Sequence, residues 1–541
     1  MKKGFLKNFL AVATLSLAIT ACNLDYFQDA TFGDFVWDPS LAIPVGEISY
    51  SVEELFEELN DAGAQITTND ENVVTLVYTE ALQSQTATAF LSILDQNFRG
   101  EVISGVNVSN PGTERTINVE NVFEFDLSSR GGEAYDSINF DGGMFNVTMT
   151  SEIDAVVDFT LTVNSFEAKA DDTPLTISGT LTEGNPTFTS NSNLADFNGN
   201  FTRDAAGAIA RNKAVVTLAY SIAVEPNTVI TARDFVRFDI GVSNAQFSQV
   251  FGDVGTQALE VNFQVVNLDF FRNFDAGSIR FAEPKLSFNF LNGFGFPIGI
   301  DFREISAIGG EGQIVNLSGT ATASPTVVNA PTVNEIGTTV STTLELNSTN
   351  SNIADMLAIQ PTKVIMEVSA ETNPGTTDQY NFVDTGSLLD VNVDVEVPLF
   401  ANIDDLLAEQ DVDFDNGGDL EEAKRLMLRI ITENELPMGG DIELVFQDAN
   451  QNTVFTVAER PVFLGAAVGG DGRTSTPATN TTDVEFSDDD IRAIEGATRI
   501  LVRARLSTTD AQSGNAVRLF EDYELRIRLA AQADVEINTS N

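Results

Sequence analysis

The 541-residue chain contains no histidine and a single cysteine, Cys22. The absence of histidine excludes Ser-His-Asp triads, Cys-His dyads and histidine-ligated metal sites. The sequence also lacks a Gly-x-Ser-x-Gly nucleophile elbow and a P-loop. What remains is the chemistry of carboxylates, of Ser-Lys pairs and of oxygen-ligated calcium. We therefore expect a protein that is not an enzyme, with a hydrolase that uses carboxylates alone as the open alternative.

Basic residues are scarce, because 29 Lys and Arg stand against 80 Asp and Glu and give a formal net charge of −51. This balance argues against nucleic acid as a partner, since phosphate binding needs a basic surface. The acidic residues have two interpretations. They form a solvated coat that keeps an exported protein soluble, or some of them bind cations. The coat is the simpler interpretation.

Tryptophan and tyrosine are rare, with 1 Trp and 7 Tyr beside 39 Phe. Because phenylalanine has no polar group, most of these rings are expected in the core, whereas surfaces that stack sugars favour Trp and Tyr. The composition therefore disfavours glycan binding, for which Trp37 and the tyrosines are the available platforms. A second use for so many phenylalanines is to line a cavity for an apolar ligand.

The N-terminal segment contains three lysines and then an apolar run from Phe9 to Ala21. A charged start followed by an apolar stretch too short to cross a bilayer is typical of a secretory signal peptide. The sequence Ile-Thr-Ala-Cys that ends at Cys22 resembles the bacterial lipobox. The resemblance implies that residues 1–21 are removed and that Cys22 carries the lipid attachment, with palmitate among its acyl chains.

The residue after the lipidated cysteine is Asn23 rather than Asp. This is similar to lipoproteins that are sorted to the outer membrane. We therefore expect a protein anchored in the cell outer membrane. Whether it faces the periplasm or the cell surface stays open.

Alternating apolar and polar residues dominate the rest of the chain, as in "FNVTMTSEIDAVVDFTLTV" from Phe145, "KLSFNFLNGFGFPIGIDF" from Lys285 and "LLDVNVDVEVPLF" from Leu388. A period of two, rich in Val, Ile, Thr and Phe, predicts antiparallel sheets with one buried face. The predicted fold class is mainly β, built from tandem antiparallel β-sandwich or barrel-like units with a few short capping helices.

Three of these strand patterns follow a similar lead-in. The pentapeptides that begin at Asn139 and Asn273 share the pattern Asn-Phe-Asp-x-Gly, and Asn381 begins a version with one extra residue. The final glycine suits a turn that needs positive φ. We interpret the three segments as copies of a repeated β unit.

Short helices are predicted where a capping residue precedes an acid three positions later. In the C-terminal half this pattern is followed by a loop and a strand, and a fuller version occurs near the N-terminus. The predicted N-cap residues are Ser51, Asn352, Asn402 and Ser487.

Several phrases scattered over the chain resemble cell-envelope lipoproteins of the Bacteroidetes. They are "WDPSLAIPVGEISYSVEELF", "NGFGFPIGIDF", "RIITENELPMGGDIELVFQDANQNTVF" and "DYELRIRLAAQADVEIN". The resemblance implies an outer-membrane or surface location and supplies no catalytic motif.

Stretches rich in small and polar residues near 190–210 and 320–345 mark the predicted domain boundaries, although the second could equally form edge strands. The prediction is a signal peptide over 1–21, an N-terminal β-rich domain over 22–200, a middle one over 201–345 and a C-terminal one with short helices over 346–541.

The segment "DVDFDNGGDLEE" spaces its acids like the ligands of an EF-hand calcium loop. Asn416 stands where that loop needs glycine, so an acidic solvated turn is the competing interpretation. No other cofactor is expected. The candidate ligands are Asp411, Asp413, Asp415, Asp419 and Glu422.

Together these observations predict an outer-membrane-anchored lipoprotein that acts as a non-catalytic binding or structural component of the envelope. Its partners are the membrane, through the anchor, and envelope proteins, glycans or a lipid. The alternatives are a carrier of an apolar, lipid-like ligand and a surface lipoprotein that binds or degrades glycans.

Overall fold

The computed structural model describes residues 36–37, 40–56, 65–82, 84–105, 107–110, 112–259, 264–268, 276–376, 379–414, 423–535 and 537–538. The structure is 63% strand and 7% helix, which confirms the prediction of a mainly β protein with a few short helices. Every strand pairing in these ranges is antiparallel. No helix within them is both long and apolar enough to span a bilayer.

The strands of the first half of the described chain are β1 (Val36–Trp37), β2 (Ser40–Ser51), β3 (Gln65–Thr68), β4 (Val74–Ala81), β5 (Gln85–Thr86), β6 (Gln96–Ile103), β7 (Val108–Ser109), β8 (Arg115–Asp126), β9 (Ala134–Ser151), β10 (Val156–Ala168), β11 (Pro174–Leu181), β12 (Thr187–Asn193), β13 (Phe197–Asn200), β14 (Lys213–Val224), β15 (Val229–Ile230), β16 (Phe235–Asp253), β17 (Ala258–Leu259) and β18 (Gln264–Asn267).

Those of the second half are β19 (Ala276–Phe281), β20 (Lys285–Asn292), β21 (Ile298–Gly309), β22 (Ile314–Asn316), β23 (Thr326–Val328), β24 (Val340–Asn347), β25 (Pro361–Thr372), β26 (Asn381–Asp384), β27 (Leu388–Pro398), β28 (Phe400–Asp413), β29 (Ala423–Asn434), β30 (Met438–Gln447), β31 (Thr453–Phe463), β32 (Ala478–Ser487), β33 (Arg499–Thr508), β34 (Val517–Arg518), β35 (Glu524–Val535) and β36 (Ile537–Asn538). The α-helices are α1 (Val52–Phe56), α2 (Ala87–Phe90), α3 (Ile353–Ala358) and α4 (Asp488–Ile494).

The largest sheet has ten strands and is nearly closed, and we call it the barrel-like sheet. Its order is β26-β16-β9-β13-β10-β14-β8, with β6 on β16, β11 on β10 and β12 on β9. The ring centroids of Phe98 on β6 and Phe125 on β8 lie 5.1 Å apart, so the two ends of the sheet approach each other. Gly100 on β6 permits this approach, because a Cβ there would lie 2.9 Å from the ring of Phe123 on β8.

Four further sheets pair into two sandwiches. In the first sandwich, the sheet β24-β20-β27-β4-β3 packs against the sheet β17-β25-β21-β22, and the rings of Phe288 and Phe302 meet across the layers at 4.7 Å. In the second sandwich, the sheet β19-β28-β33-β30-β31 packs against β2-β35-β29-β32, with Phe446 and Phe486 at 6.2 Å. Buried apolar residues between these layers form the core.

The sheets join segments that are far apart in the chain. Strand β4 pairs with β27, β2 pairs with β35, and β26 adds to the barrel-like sheet through β16. The stretch over 320–345 supplies β23 and the edge strand β24. The predicted domain boundaries stay predictions.

Three of the four predicted helices are confirmed as α1, α3 and α4, but the Asn352 side chain does not cap α3 and instead binds the backbone of Asn316 and Ser318. The Ser51 hydroxyl accepts a hydrogen bond from the Glu54 amide at 3.2 Å, and the Glu54 carboxylate accepts one from the Ser51 amide at 2.8 Å. The same reciprocal pair joins Ser487 and Asp490. These contacts satisfy amide groups that the first turn of a helix leaves without partners.

The helix predicted after Asn402 is wrong, because this segment forms β28. Asp405 adopts a φ of 56°, and the register with β19 shifts there, which marks a β-bulge. Ile403 and Leu406 are both buried because the bulge changes the phase of the alternation. Two buried residues three positions apart are typical of a helix, and here the bulge produces that spacing within a strand.

The lead-in at Asn139 lies inside β9 as a bulge rather than as the expected turn. Gly143 and Gly277 do adopt positive φ, at 112° and 92°. Gly386, the corresponding glycine of the third lead-in, does not adopt positive φ. The segment that begins at Asn381 is a strand followed by a turn. Residues 273–275 lie outside the described residues, so the repeated unit stays a prediction.

Candidate functional site

A cavity of about 510 Å³ lies between the two layers of the first sandwich. Strands of both sheets supply its walls, and α2 and the loop before β9 complete its border. The lining residues are Leu82, Gln85, Ala89, Phe90, Arg130, Gln257, Ala258, Leu259, Phe288, Phe290, Ile300, Phe302, Met366, Val368, Ala370, Leu389 and Val391.

The first wall is the inner face of the sheet that contains β20 and β27. Alternation along "LSFNF" places Phe288 and Phe290 on one face, and they are 1% and 2% exposed. Phe290 stands opposite Val391 in the antiparallel register. Leu389, two residues before Val391, adds a further apolar side chain to the same wall.

The second wall is formed by β25 and β21. Met366, Val368 and Ala370 alternate along β25 and all line the cavity. Ile300 stands opposite Ala370, and Phe302 stands opposite Val368. Both walls are therefore built by the period of two that the sequence showed, and both present aliphatic or aromatic groups.

Aromatic rings bridge the border of the cavity. Phe90, in the four-residue helix α2, contacts the ring of Phe294 at 4.5 Å and that of Phe296 at 6.0 Å. The Phe288–Phe302 contact joins the two sheets elsewhere. Edge-on and tilted ring contacts of this kind fix the position of the walls.

Only three of the described lining residues carry a polar side chain: Gln85, Arg130 and Gln257. The side-chain amide of Gln257 donates a hydrogen bond to the Val254 carbonyl at 2.6 Å. The backbone of Gln257 is fixed to the end of β25, because its backbone N–H donates a hydrogen bond to the Thr372 hydroxyl at 2.9 Å. The polar groups of the described lining are thus few, and Gln257 is held in place by its hydrogen bonds.

Arg130 belongs to the loop between β8 and β9 and is exposed. The loop lies directly on Gln257, since a Cβ on Gly131 would lie 2.6 Å from the Gln257 side chain. The Gly131 amide donates to the buried Glu133 carboxylate at 2.8 Å. These contacts position Arg130 at the mouth of the cavity.

Sequence analysis offered a cavity lined by phenylalanines as an alternative, but it identified neither the position of the cavity nor its polar residues. The period of two in "KLSFNF" predicts that Phe288 and Phe290 are buried, and the cavity itself depends on what faces them. Helix α2 was also missed, because four residues of "ATAF" give no periodic signal. Arg130 carries no sequence signal beyond its rarity as a cation in an acidic chain.

The predicted calcium ligands are only partly described. Asp411 and Asp413 lie at the end of β28, and Asp411 forms an ion pair with Arg499 of the neighbouring strand β33. Asp415, Asp419 and Glu422 lie outside the described residues. Across the part of the chain that the structure covers, no three potential ligand side chains converge as a metal site requires. The calcium loop stays a prediction.

The lipid-attachment residue Cys22 and the signal segment 1–21 also lie outside the described residues. The prediction of an acylated anchor is therefore untested by the fold. The side chain of Trp37, the tryptophan considered for glycan stacking, is likewise not among the described ones.

No protein-family model and no curated protein sequence matches the chain. Among solved structures, a Parabacteroides distasonis protein proposed to be secreted aligns over 92% of this chain and 99% of its own, with 11% identity and a TM-score of 0.27. Empty particles of cowpea mosaic virus and the PBSX exported protein XepA each align over 55% of this chain. They cover 92% and 86% of their own chains, at 8% and 9% identity and a TM-score of 0.12. TM-scores this low do not establish a shared fold, so these likenesses carry no inference.

Proposed function

We propose that this protein is a non-catalytic, outer-membrane-anchored component of the cell envelope that carries an apolar ligand between the sheets of the first sandwich. Of the functions that the sequence left open, the carrier is the one that the cavity favours. The observation that supports it is a cavity of about 510 Å³ whose described lining has three polar side chains. Ligand sites of small molecules have this size and this apolar character.

The energetics of packing support a ligand rather than an empty space. Atoms that line an apolar void lack partners on one side and lose dispersion contacts, so large empty voids destabilise a fold. A ligand with an apolar body would restore these contacts at Phe290, Met366 and Val391. The described lining contains no carboxylate, so this cavity does not favour the alternative of glycan hydrolysis by paired acids.

Native mass spectrometry tests the carrier function directly. The unacylated Cys22→Ala protein, purified from its own host without detergent, is measured intact and then extracted with organic solvent. We expect an apolar molecule bound in about one copy per chain. A protein that purifies empty, and that also takes up no uncharged apolar fluorescent probe, would contradict the proposal.

A matched pair of substitutions assigns the bound molecule to the cavity. Ala370→Phe adds a ring to the wall of the cavity, and we expect it to abolish ligand retention because the ring occupies the space. Ala206→Phe places the same ring in an exposed loop of the barrel-like sheet and should leave retention unchanged. Equal retention in both variants would place the ligand elsewhere.

The anchor has its own test. Cells that express the wild-type protein are expected to incorporate labelled palmitate into it and to retain it in the outer-membrane fraction, because acyl chains on Cys22 bury many methylene groups in the bilayer. Cys22→Ala should lose both the label and membrane retention, whereas Cys22→Ala that keeps both would refute the assignment.

A further inference from the structure

The cavity contains one charged group among its described lining residues, and that group is a cation. Acids outnumber bases 80 to 29 in the sequence, yet no Asp or Glu belongs to the described lining. Arg130 is therefore the source of formal charge at this site. Its sign is opposite to the net charge of the chain.

Most described arginines form ion pairs, and Arg130 differs from them. Arg503, for example, binds Glu409 at 2.7 Å and Glu443 at 3.1 Å on neighbouring strands. No described side chain forms an ion pair or a hydrogen bond with the guanidinium of Arg130. In a chain with so many acids, a cation at a cavity mouth without an acidic partner is a position that an external anion can fill.

The nearest acid along the loop is already engaged. Glu133 is 5% exposed, and its carboxylate accepts the hydrogen bond from the Gly131 amide. That bond orders the backbone next to Arg130 and directs the carboxylate toward the loop. The guanidinium keeps its five N–H donors, in a planar fork that suits a carboxylate or a phosphate.

We propose that the ligand of this cavity is an anionic amphiphile, whose apolar chain lies between the two sheets and whose carboxylate or phosphate head binds Arg130 at the mouth. This inference rests on the proposed carrier function and adds the class of ligand. Gln85 and Gln257, the other polar side chains of the described lining, supply further hydrogen-bonding groups for the head. Burial of the chain would supply most of the affinity, and the head would set its orientation.

Paired ligands of one chain length test the proposal. The unacylated Cys22→Ala protein is titrated with a long-chain fatty acid, the fatty alcohol of the same length and the corresponding alkyl phosphate, below their critical micelle concentrations. We expect the acid and the phosphate to bind roughly three- to tenfold more tightly than the alcohol, which is the range for a charge-assisted contact at an exposed site. The ratio of acid to phosphate affinity then identifies which anionic head the mouth prefers.

Substitution of Arg130 separates the contribution that the head group of the ligand makes to affinity from the contribution of its apolar chain. Arg130→Gln should abolish the preference for the acid over the alcohol, and Arg130→Lys should restore part of it. Arg233→Gln, which removes an exposed arginine in the turn that precedes β16, should change neither affinity. Raising the salt concentration should narrow the acid-to-alcohol ratio in the wild type and in Arg233→Gln but not in Arg130→Gln.

The outcomes distinguish the two proposals. If no ligand of the series binds, the carrier function itself fails. If the alcohol binds as tightly as the acid, or if Arg130→Gln keeps the preference for the acid, the carrier function stands and the assignment of an anionic head is overturned.

Discussion

The barrel-like sheet and the first sandwich use phenylalanine in opposite ways. In the barrel-like sheet, the ring of Phe166 stacks on Phe140 at 5.6 Å and contacts Phe145 at 5.2 Å and Phe201 at 5.9 Å, so the rings fill the space between the strands. In the first sandwich, Phe288 and Phe290 are just as buried, yet they border an open volume of about 510 Å³. Burial alone therefore does not distinguish a core ring from a cavity ring.

The difference arises from what faces each ring. Gly199 lies beside the rings of Phe140 and Phe201, where a Cβ would lie 2.5 Å from the Phe201 ring, so glycine gives the aromatic cluster its room and the cluster fills it. In the first sandwich, Phe290 faces a wall that includes Ala370 and Val368. Beside these smaller side chains a cavity remains between the layers, although Phe302 on the same wall does meet Phe288.

The largest expected effect compares truncation in the two regions. Phe166→Ala should lower the free energy of unfolding by about 3–5 kcal/mol, because it removes a ring with neighbours on several sides and leaves a new void. Phe290→Ala should cost less, about 1.5–3 kcal/mol, because the ring already has an open side and mainly its transfer from water is lost. Urea unfolding of both variants, in ligand-free protein, measures the difference.

Ligand-free protein is essential for this comparison, since a bound ligand stabilises the folded state by RT ln(1 + L/Kd), where L is the free ligand concentration. Equal losses at the two positions would mean that the space beside Phe290 is as well packed as the aromatic cluster. That result would remove the basis for a ligand site in the first sandwich.

The sequence predicted the class of the fold and several local features, and the residues show why. Ser51 and Ser487 mark helices because a cap and an acid three residues later act within one turn. Gly143 and Gly277 mark positive φ because only glycine adopts it without a steric penalty. These signals depend on neighbours in the chain.

The helix predicted at Asn402 failed for a reason that lies elsewhere in the chain. The bulge at Asp405 forms against β19, where Gly277 leaves room for it, because a Cβ on Gly277 would lie 2.3 Å from the Asp405 carbonyl oxygen. That partner is more than a hundred residues away. A pattern read within one strand does not reveal a phase change imposed by another.

The cavity was unpredictable on the same grounds. The segments "FNVTMT" in β9 and "KLSFNF" in β20 have the same alternation. The apolar side chains of the first pack into the filled interior of the barrel-like sheet, whereas those of the second border the cavity of the first sandwich. The walls combine β20, β25 and β27 with a mouth residue, Arg130, from a loop that lies more than 150 residues earlier than β20. Sequence reasoning proposed an apolar pocket as one use of the phenylalanines, and only the packing of distant strands shows where one lies.

A smaller effect sharpens the comparison from the opposite direction, by adding volume instead of removing it. Ala214 is fully buried inside the barrel-like sheet, and Ala214→Phe should destabilise by about 1–3 kcal/mol or more because the interior there has no room for a ring. Ala370→Phe adds the same ring beside the cavity and should change the free energy of unfolding by less than about 1 kcal/mol, since the ring enters open space and gains contacts there. Thermal unfolding of the two ligand-free variants provides the measurement. A loss at Ala370 as large as that at Ala214 would show that the layers of the first sandwich close on themselves, and the phenylalanines of both regions would then serve as core alone.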